Sequence, residues 1–324
     1  MALITSSPAT LRSLQESLPE WQVFEAFYQR LLQTGVYRDN WLLAKLGGFL
    51  LRRSGKRLRP LLLLYIAKAC GEITEATYVA ACLIEILHNA TLIHDDVVDD
   101  SEYRRGFFSM RALWGNRIAV LFGDWLLAQG LITALRYQQP QLLQYASEAV
   151  EALAEGELLQ LKRMREASQQ LDSYFKVIQK KTAALFQAAC KMGAWSVGAS
   201  EALIERAGAI GQELGIAFQI RDDLLDWQTT ERTGKPVDAD RRQKRFTLPL
   251  LWAFQQATPP QRKVLLQGSF RESKALLEAM GAFAYAEALI EAQTQKAQRL
   301  AEALPYAQNL PLTQLFHLLL KGSG

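Results

Sequence analysis

Helix-forming residues fill long stretches of this 324-residue chain, and helix-breaking residues stand between those stretches. Leu, Ala, Glu, Gln and Arg dominate the long segments, whereas most of the 20 glycines and 10 prolines are grouped between them. The first set favours helices, and Gly and Pro interrupt them. The sequence therefore predicts an all-α protein in which nearly the whole chain is helical.

The segment that ends near Trp227 shows the helical pattern directly, because apolar residues recur there at spacings of three or four. These residues are Leu203, Ala207, Ile210, Leu214 and Phe218. Three glycines, Gly208, Gly211 and Gly215, lie in the same stretch. No strand precedes them, as a phosphate-binding glycine loop would require. We therefore interpret them as points of close helix packing.

The other predicted helices cover most of the remaining chain. Their ranges are about 20–34, 38–52, 58–70, 74–100, 117–138, 140–167, 170–198, 246–257 and 282–304. The most polar interval runs from Thr229 to Arg245, and a loop of that length is often functional. No repeat or low-complexity linker divides the chain. We predict one domain over residues 1–324, with a motif-bearing core at about 45–255 and C-terminal helices at about 256–324.

Composition disfavours several classes of protein. The net charge of +4 is too small to indicate nucleic acid or an acidic membrane as a partner. Cys70, Cys82 and Cys190 lack the spacing of a disulfide framework or a zinc site, so we expect reduced thiols and a cytoplasmic location. No apolar run reaches the roughly 18 to 20 residues of a membrane span, and the N-terminus lacks the pattern of a signal peptide. We expect neither membrane insertion nor secretion.

Two copies of the motif Asp-Asp-x-x-Asp point to metal chemistry. Their members are Asp95, Asp96 and Asp99 in the first copy and Asp222, Asp223 and Asp226 in the second. On a helix the three carboxylates crowd one face and repel one another, and cations relieve that repulsion. Oxygen ligands select hard ions, and Mg²⁺ takes one or two carboxylates together with water and substrate phosphate. The motifs therefore predict Mg²⁺ sites that face a phosphorylated substrate.

Calcium and iron sites fit the aspartate motifs less well than magnesium sites do. A calcium-binding loop is excluded because Val97 and Leu224 occupy positions that need an oxygen ligand. A di-iron bundle needs two Glu-x-x-His elements, and the sequence has one, formed by Glu85 and His88. Two solvated helix ends remain the alternative without a metal, which the repeated spacing in apolar surroundings disfavours.

Basic residues accompany the aspartates in three groups. The first runs over residues 52–60 and carries five positive charges, the second is Arg104 and Arg105, and the third is Lys180 and Lys181. The guanidinium group of arginine can engage two phosphate oxygens at once. A single basic run is usually a solvated surface, but its combination with two carboxylate motifs favours a diphosphate site.

Taken in order, these motifs resemble those of trans-polyprenyl diphosphate synthases. The matching segments are residues 55–60, 88, 95–99, 104–106, 181–182, 218–223, 234–236 and 247–249. The resemblance implies an isoprenoid-synthase helical bundle around a central substrate cavity, usually homodimeric. It also implies the joining of isopentenyl diphosphate to an allylic diphosphate such as geranyl or farnesyl diphosphate, with three Mg²⁺ ions per active site.

The resemblance further implies a role for each matching residue. Asp95, Asp99 and Asp222 would bind metal directly, and Asp96, Asp223 and Asp226 would bind it directly or through water. The allylic diphosphate would be held by Arg104, Lys181 and Lys235. Isopentenyl diphosphate would be held by Lys56, Arg59, His88 and Arg105. Thr182 and Gln219 would face the reacting carbons.

The sequence departs from the family pattern at three places. Phe107 and Phe108 stand where many members have Lys-Pro, and Asp238 stands at a frequent glycine position. Arg245 replaces the lysine that is usual two residues before Thr247. Because Arg245 keeps the positive charge, we expect its contact with substrate to persist with altered geometry.

The helix before the first aspartates predicts the product length. Ala90 and Thr91 lie about one turn, roughly 5 to 7 Å, deeper than Asp95 along that helix. Short-chain members of the family place an aromatic residue there as a floor, whereas Ala90, Thr91 and Leu87 leave the path open. We expect a C25 to C40 product, with Phe122 as a candidate floor. The alternatives are a geranylgeranyl diphosphate synthase, a class I terpene cyclase or a noncatalytic partner subunit.

Overall fold

A computed structural model describes residues 8–34, 40–53, 55–104, 107–166, 170–228 and 246–320. Most of these residues are helical, as the sequence predicts. The α-helices are α1 (Pro8–Glu16), α2 (Glu20–Thr34), α3 (Trp41–Arg52), α4 (Leu58–Cys70), α5 (Glu75–Val98), α6 (Met110–Trp114), α7 (Asn116–Arg136), α8 (Pro140–Glu166), α9 (Leu171–Ile178), α10 (Ala184–Ser196), α11 (Glu201–Gln228), α12 (Leu248–Gln256), α13 (Pro259–Gln267), α14 (Phe270–Met280), α15 (Ala282–Glu302) and α16 (Leu312–Leu320).

Four short elements, two helical turns and two strands, complete the described chain. A π-helical turn, Gln179–Ala183, joins α9 to α10, and a 3₁₀ turn, Ala307–Asn309, precedes α16. The strands β1 (Tyr103–Arg104) and β2 (Phe107–Phe108) pair in an antiparallel hairpin. The sequence did not predict the hairpin, because two-residue strands are too short to show an alternating pattern.

Helix α5 lies at the centre of the larger of two apolar clusters. It packs against α4, α7 and α10, and its buried residues run from Thr77 to Asp96. Helix α4 is buried on every side from Leu61 to Ala67, as expected for a helix that is apolar all round. The apolar core therefore fixes the helix that carries the first aspartate motif.

Helix α11 connects the two apolar clusters. Its residues Ile210 and Leu214 belong to the larger cluster, whereas Ile220 and Leu224 belong to a smaller one built mainly with α12, α14 and α15. The second aspartate motif lies at this end of α11, where Trp227 stacks on Phe270 at 5.2 Å between ring centroids. Packing on both sides therefore fixes the second motif as well.

The predicted helices agree with the structure within a few residues, with one internal difference. The predicted helix over about 170–198 contains the π-helical turn between α9 and α10. The sequence did not single out α1, α6, α13, α14 and α16, which are short helices of 5 to 11 residues. The interpretation of the α11 glycines as packing points is confirmed, because a Cβ at Gly215 would lie 2.5 Å from the Ala183 Cα.

The expectation that no apolar run reaches membrane-spanning length is wrong for two helices. Helices α5 and α7 are long and apolar enough to cross a membrane. The most apolar window of α5 is 72% buried inside the protein, and that of α7 is 39% buried. A mostly buried core helix passes the same composition test, which accounts for α5.

Candidate active site

The first aspartate motif ends α5, and Asp95 is half-buried there. The pKa of Asp95 is raised to about 6: burial is the largest cause, Glu157 and Asp99 also raise the pKa, and Lys181 and Arg104 lower it. The C-terminal end of a helix is also its negative pole, which adds to the repulsion. The motif therefore concentrates negative charge that a bound cation would stabilise.

The side chain of Asp96, by contrast, faces the protein interior. Its side chain is buried, and the Arg104 Nε donates a hydrogen bond of 2.6 Å to its Oδ1. Arg104 belongs to β1, so this pair ties the hairpin to the first motif. In this structure Asp96 pairs with Arg104, and its role in metal binding stays a prediction.

The hairpin is also anchored to α3, and this contact involves the unusual Phe107 and Phe108. The guanidinium carbon of Arg53 lies 4.4 Å from the Phe49 ring centroid and 4.5 Å from that of Phe107. Arg53 also donates a hydrogen bond of 3.2 Å to the backbone oxygen of Phe108. The two phenylalanines thus bind the hairpin to the basic segment that starts at the end of α3.

The π-helical turn presents Lys181 and Thr182 between the two aspartate motifs. Lys181 forms an ion pair with Glu157 of α8 and acts electrostatically on Asp95. Glycines bring two neighbouring helices close to this turn: a Cβ at Gly156 would lie 2.6 Å from the Lys181 backbone nitrogen. π-Helical turns are uncommon and often occur at functional sites.

The second motif is joined to the π-helical turn through hydrogen bonds. Thr182 donates a bond of 2.7 Å to the Gln219 Oε1, and the Gln219 Nε2 donates a bond of 3.1 Å to the Asp223 Oδ1. Asp223 is buried, whereas Asp222 is half-buried and Asp226 is exposed. The structure therefore brings Thr182, Gln219 and the second motif together.

The basic segment before α4 lies beside His88. The Arg59 Nη1 and the His88 Nε2 are 3.0 Å apart, and the Arg59 guanidinium lies 4.5 Å from the Phe186 ring centroid. Arg57 adopts a left-handed backbone conformation with φ of 48°, and its side chain donates a hydrogen bond of 3.0 Å to Glu25. Lys56 is half-buried on the same segment.

The residues predicted to set product length line the middle of α5. Ala90 and Leu87 are buried, and Thr91 donates a hydrogen bond of 3.0 Å to the backbone oxygen of His88. Phe122 of α7 is buried and stacks on Trp125 at 5.6 Å between ring centroids. The floor role of Phe122 and the central substrate cavity stay predictions.

Several predicted residues lie outside the described part of the chain. These residues are Arg105, Lys235, Asp238 and Arg245, and the predicted loop over residues 229–245 lies outside it too. Among the residues that are described, no three His, Cys, Asp or Glu side chains converge closely enough to hold a metal ion by themselves. Both motifs offer only carboxylate oxygens, which is the donor type that suits Mg²⁺.

Sequence reasoning missed Glu157 and Tyr174. Glu157 pairs with Lys181, and Tyr174 donates a hydrogen bond of 2.7 Å to the Asp223 Oδ2 across 49 positions of sequence. A lone glutamate or tyrosine on a helix carries no local signal of such a partner. Only the packing of α8, α9 and α11 brings these side chains to the site.

Comparison with known proteins gives consistent matches along the chain. The profile of the polyprenyl synthetase family matches residues 41–305. Octaprenyl diphosphate synthase of Escherichia coli K12 is 36% identical over 279 residues, which cover 84% of this chain and 86% of that protein. Heptaprenyl diphosphate synthase component 2 of Bacillus subtilis 168 is 38% identical over 229 residues, or 70% of this chain and 65% of that protein. A Caulobacter crescentus CB15 polyprenyl synthase, solved with calcium and isoprenyl diphosphate, has a TM-score of 0.86 and 30% identity over 100% of both chains.

Proposed function

This chain belongs to the polyprenyl synthetase family, and from that premise we propose that it condenses isopentenyl diphosphate with geranyl or farnesyl diphosphate to make an all-trans C25 to C40 diphosphate. One observation carries the proposal: Lys181 and Thr182, on one π-helical turn, connect the two aspartate motifs. Lys181 acts electrostatically on Asp95, and Thr182 reaches Asp223 through Gln219. Acidic and basic groups on one site suit a metal-bound diphosphate.

We propose Mg²⁺ as the metal, with three ions per active site. Asp95, Asp99 and Asp222 would hold the ions, and Asp96, Asp223 and Asp226 would hold them directly or through water. The half-buried carboxylate of Asp95 fits this role, because its raised pKa reflects a negative charge that nearby cations do not fully compensate. When bound, Mg²⁺ would neutralise the charge that develops on the departing diphosphate.

The basic side chains divide between two diphosphates in this proposal. Arg104 and Lys181, close to Asp95, would hold the allylic diphosphate together with Lys235. Lys56, Arg59 and His88 would hold isopentenyl diphosphate together with Arg105, and Arg245 would add a further positive charge. The described residues support this division, because Arg104 and Lys181 act electrostatically on Asp95 whereas Arg59 contacts His88.

Bond changes follow from these positions. The allylic carbon–oxygen bond breaks, its electron pair leaves with diphosphate, and Arg104 and Lys181 stabilise that anion. The double bond of isopentenyl diphosphate then supplies the electrons of the new carbon–carbon bond. A proton leaves the adjacent carbon for the departing diphosphate, and the double bond that forms makes the product allylic again. No histidine base is needed for these steps.

The proposed chain length rests on side chains and on relatives. Ala90 is small, and Thr91 and Leu87 are not aromatic, so these three residues place no aromatic ring one or two turns below Asp95. The relatives named octaprenyl and heptaprenyl diphosphate synthase have names that denote products of eight and seven isoprene units. Both observations favour a product longer than farnesyl diphosphate.

We also propose that the whole chain forms one synthase domain, located in the cytoplasm, that pairs as a homodimer. Helix α7 supports the dimer, because Leu121, Ile132 and Leu135 are exposed and recur along one face of it. Light scattering should show a dimer for the wild type and a monomer for Leu135→Glu. The matched control Val23→Glu, on an exposed residue of α2, should stay dimeric. A monomeric wild type would contradict the dimer.

A labelling assay tests the proposed reaction. Purified protein with Mg²⁺, farnesyl diphosphate and radiolabelled isopentenyl diphosphate should incorporate the label into longer diphosphates. Asp222→Ala should abolish incorporation, whereas Asp124→Ala, at an exposed aspartate of α7, should not. Release of diphosphate from farnesyl diphosphate alone would instead indicate a cyclase. No turnover at all would indicate a noncatalytic subunit.

A further inference from the structure

We infer that Tyr174 is a positioning residue that acts through Asp223 and Gln219 to fix the direction of the Thr182 hydroxyl group. The inference rests on the proposed condensation, in which Thr182 lies beside the allylic diphosphate site. It adds a residue that the aspartate and basic motifs do not include.

Four side chains form one continuous chain of hydrogen bonds. Tyr174 donates to the Asp223 Oδ2 at 2.7 Å, and the Gln219 Nε2 donates to the Asp223 Oδ1 at 3.1 Å. Thr182 donates to the Gln219 Oε1 at 2.7 Å. These hydrogen bonds run from Tyr174 on α9 to Asp223 and Gln219 on α11, and from there to Thr182 in the π-helical turn. Through α11 they therefore connect α9 to the π-helical turn that follows it.

The chemistry of these groups fixes which of them donates and which accepts each hydrogen bond. An ionised carboxylate only accepts hydrogen bonds, so the group of Gln219 that faces Asp223 must be the donor, the Nε2 amide nitrogen. The amide oxygen then faces Thr182, whose hydroxyl group has one proton and must donate it there. The lone pairs of the Thr182 oxygen are thereby left for another partner. An electron-rich oxygen next to Lys181 suits an allylic carbon that becomes positive as its bond to diphosphate breaks.

Tyr174 fixes the carboxylate on which this direction depends. Its ring is buried, and its hydroxyl group donates to the Asp223 Oδ2. The Leu248 backbone N–H also donates to the Asp223 Oδ2, at 3.1 Å, so donors from α9 and α12 hold one oxygen while α11 holds the other.

Replacing Tyr174 with phenylalanine removes the donor and keeps the ring. We expect Tyr174→Phe to lower kcat about 10-fold, in the range seen when an outer partner of a site is lost. The KM for isopentenyl diphosphate should stay within about twofold of the wild-type value, because Lys56 and Arg59 are not among the four side chains linked by these hydrogen bonds. The matched control is Tyr65→Phe, since the buried Tyr65 hydroxyl group donates to Leu14 at 2.8 Å, in the α1–α4 packing.

A double-mutant cycle separates positioning from a structural effect. In a Thr182→Val background the hydroxyl group is absent, so Tyr174→Phe should then change kcat by less than about twofold. Independent, multiplicative losses in the double variant, or equal losses from Tyr65→Phe and Tyr174→Phe, would overturn the role of Tyr174. An inactive wild-type protein would overturn the proposed condensation itself, which the same assay shows before any variant is compared.

Discussion

Asp95 is the residue whose surroundings bear most directly on metal binding. Its pKa of about 6 lies above the ordinary value of 3.8, so the folded protein binds this proton more tightly than the unfolded chain does. Stability contributed by Asp95 is therefore lost as pH rises from about 4 to about 6. At neutral pH without metal, the ionised carboxylate destabilises the fold by roughly 3 kcal/mol.

Asp95→Asn should consequently stabilise the metal-free protein while abolishing activity. Removing the charge relieves the repulsion from Glu157 and Asp99, and it removes a metal ligand. Thermal denaturation at pH 7.5 in chelator should show a higher Tm for the variant, and this difference should vanish at pH 4. Mg²⁺ should raise the Tm of the wild type more than that of Asp95→Asn. A variant that melts below the wild type in chelator, or that keeps its turnover, would contradict the assignment.

Different basic residues should affect the binding of the two substrates. Arg59→Ala and Lys56→Ala should raise the KM for isopentenyl diphosphate by roughly tenfold, and Arg104→Ala should do so for the allylic substrate. Initial rates measured with each substrate varied in turn give both constants. Arg12→Ala, at an exposed ion pair on α1, serves as the control. Equal effects of all three changes on both substrates would disprove the division.

At the level of secondary structure, the π-helical turn depends on close packing against α8 and α11. A Cβ at Gly156 would lie 2.6 Å from the Lys181 backbone nitrogen, and one at Gly215 would lie 2.5 Å from the Ala183 Cα. Both contacts are with backbone atoms, which cannot rotate away. The two glycines therefore allow the turn that presents Lys181 and Thr182.

Alanine at these glycines should displace the turn. We expect Gly156→Ala and Gly215→Ala to lower kcat at least about 10-fold, because a small misplacement of reacting groups costs this much or more. Gly208→Ala on α11 is the control, since the three atoms nearest to its Cβ all belong to the flexible side chain of Lys191. Wild-type turnover in both test variants would show that the turn tolerates displacement.

Helix α5 predicts how product length responds to mutation. A ring at residue 90, about one turn below Asp95, should block the path of the growing chain and leave the first condensation intact. Ala90→Phe should therefore shift products toward C15 or C20, and Thr91→Phe should do the same. Chromatography of the dephosphorylated products provides the measurement. An unchanged distribution in Ala90→Phe would place the path elsewhere.

These elements also show which features a sequence can predict. The long helices and the aspartate motifs follow from spacing alone, because both depend on residues close together in the chain. The π-helical turn does not, because the wider turn at Gln179–Ala183 lies between two segments that both show an ordinary helical pattern of apolar residues. The sequence therefore reads as one continuous α-helix. Tyr174 and Glu157 are likewise invisible in the sequence, because their partners come from other helices.

Across the whole molecule, the two aspartate motifs are set in different apolar clusters that share α11. The larger cluster fixes Asp95 at the end of α5, and the smaller one surrounds Leu224 beside Asp223. The π-helical turn lies between them and contacts both α8 and α11. A substrate with two phosphates and an extended apolar tail matches that arrangement, with charge at the motifs and apolar helices below.

The length of the wild-type product tests the proposed condensation and the open path along α5 most directly. Purified protein with Mg²⁺, farnesyl diphosphate and excess isopentenyl diphosphate should form polyprenyl diphosphates, which are dephosphorylated and sized by mass spectrometry. We predict all-trans products between C25 and C40. Elongation that stops at C20 would contradict the open path, and recovery of unreacted farnesyl diphosphate would contradict the proposed condensation.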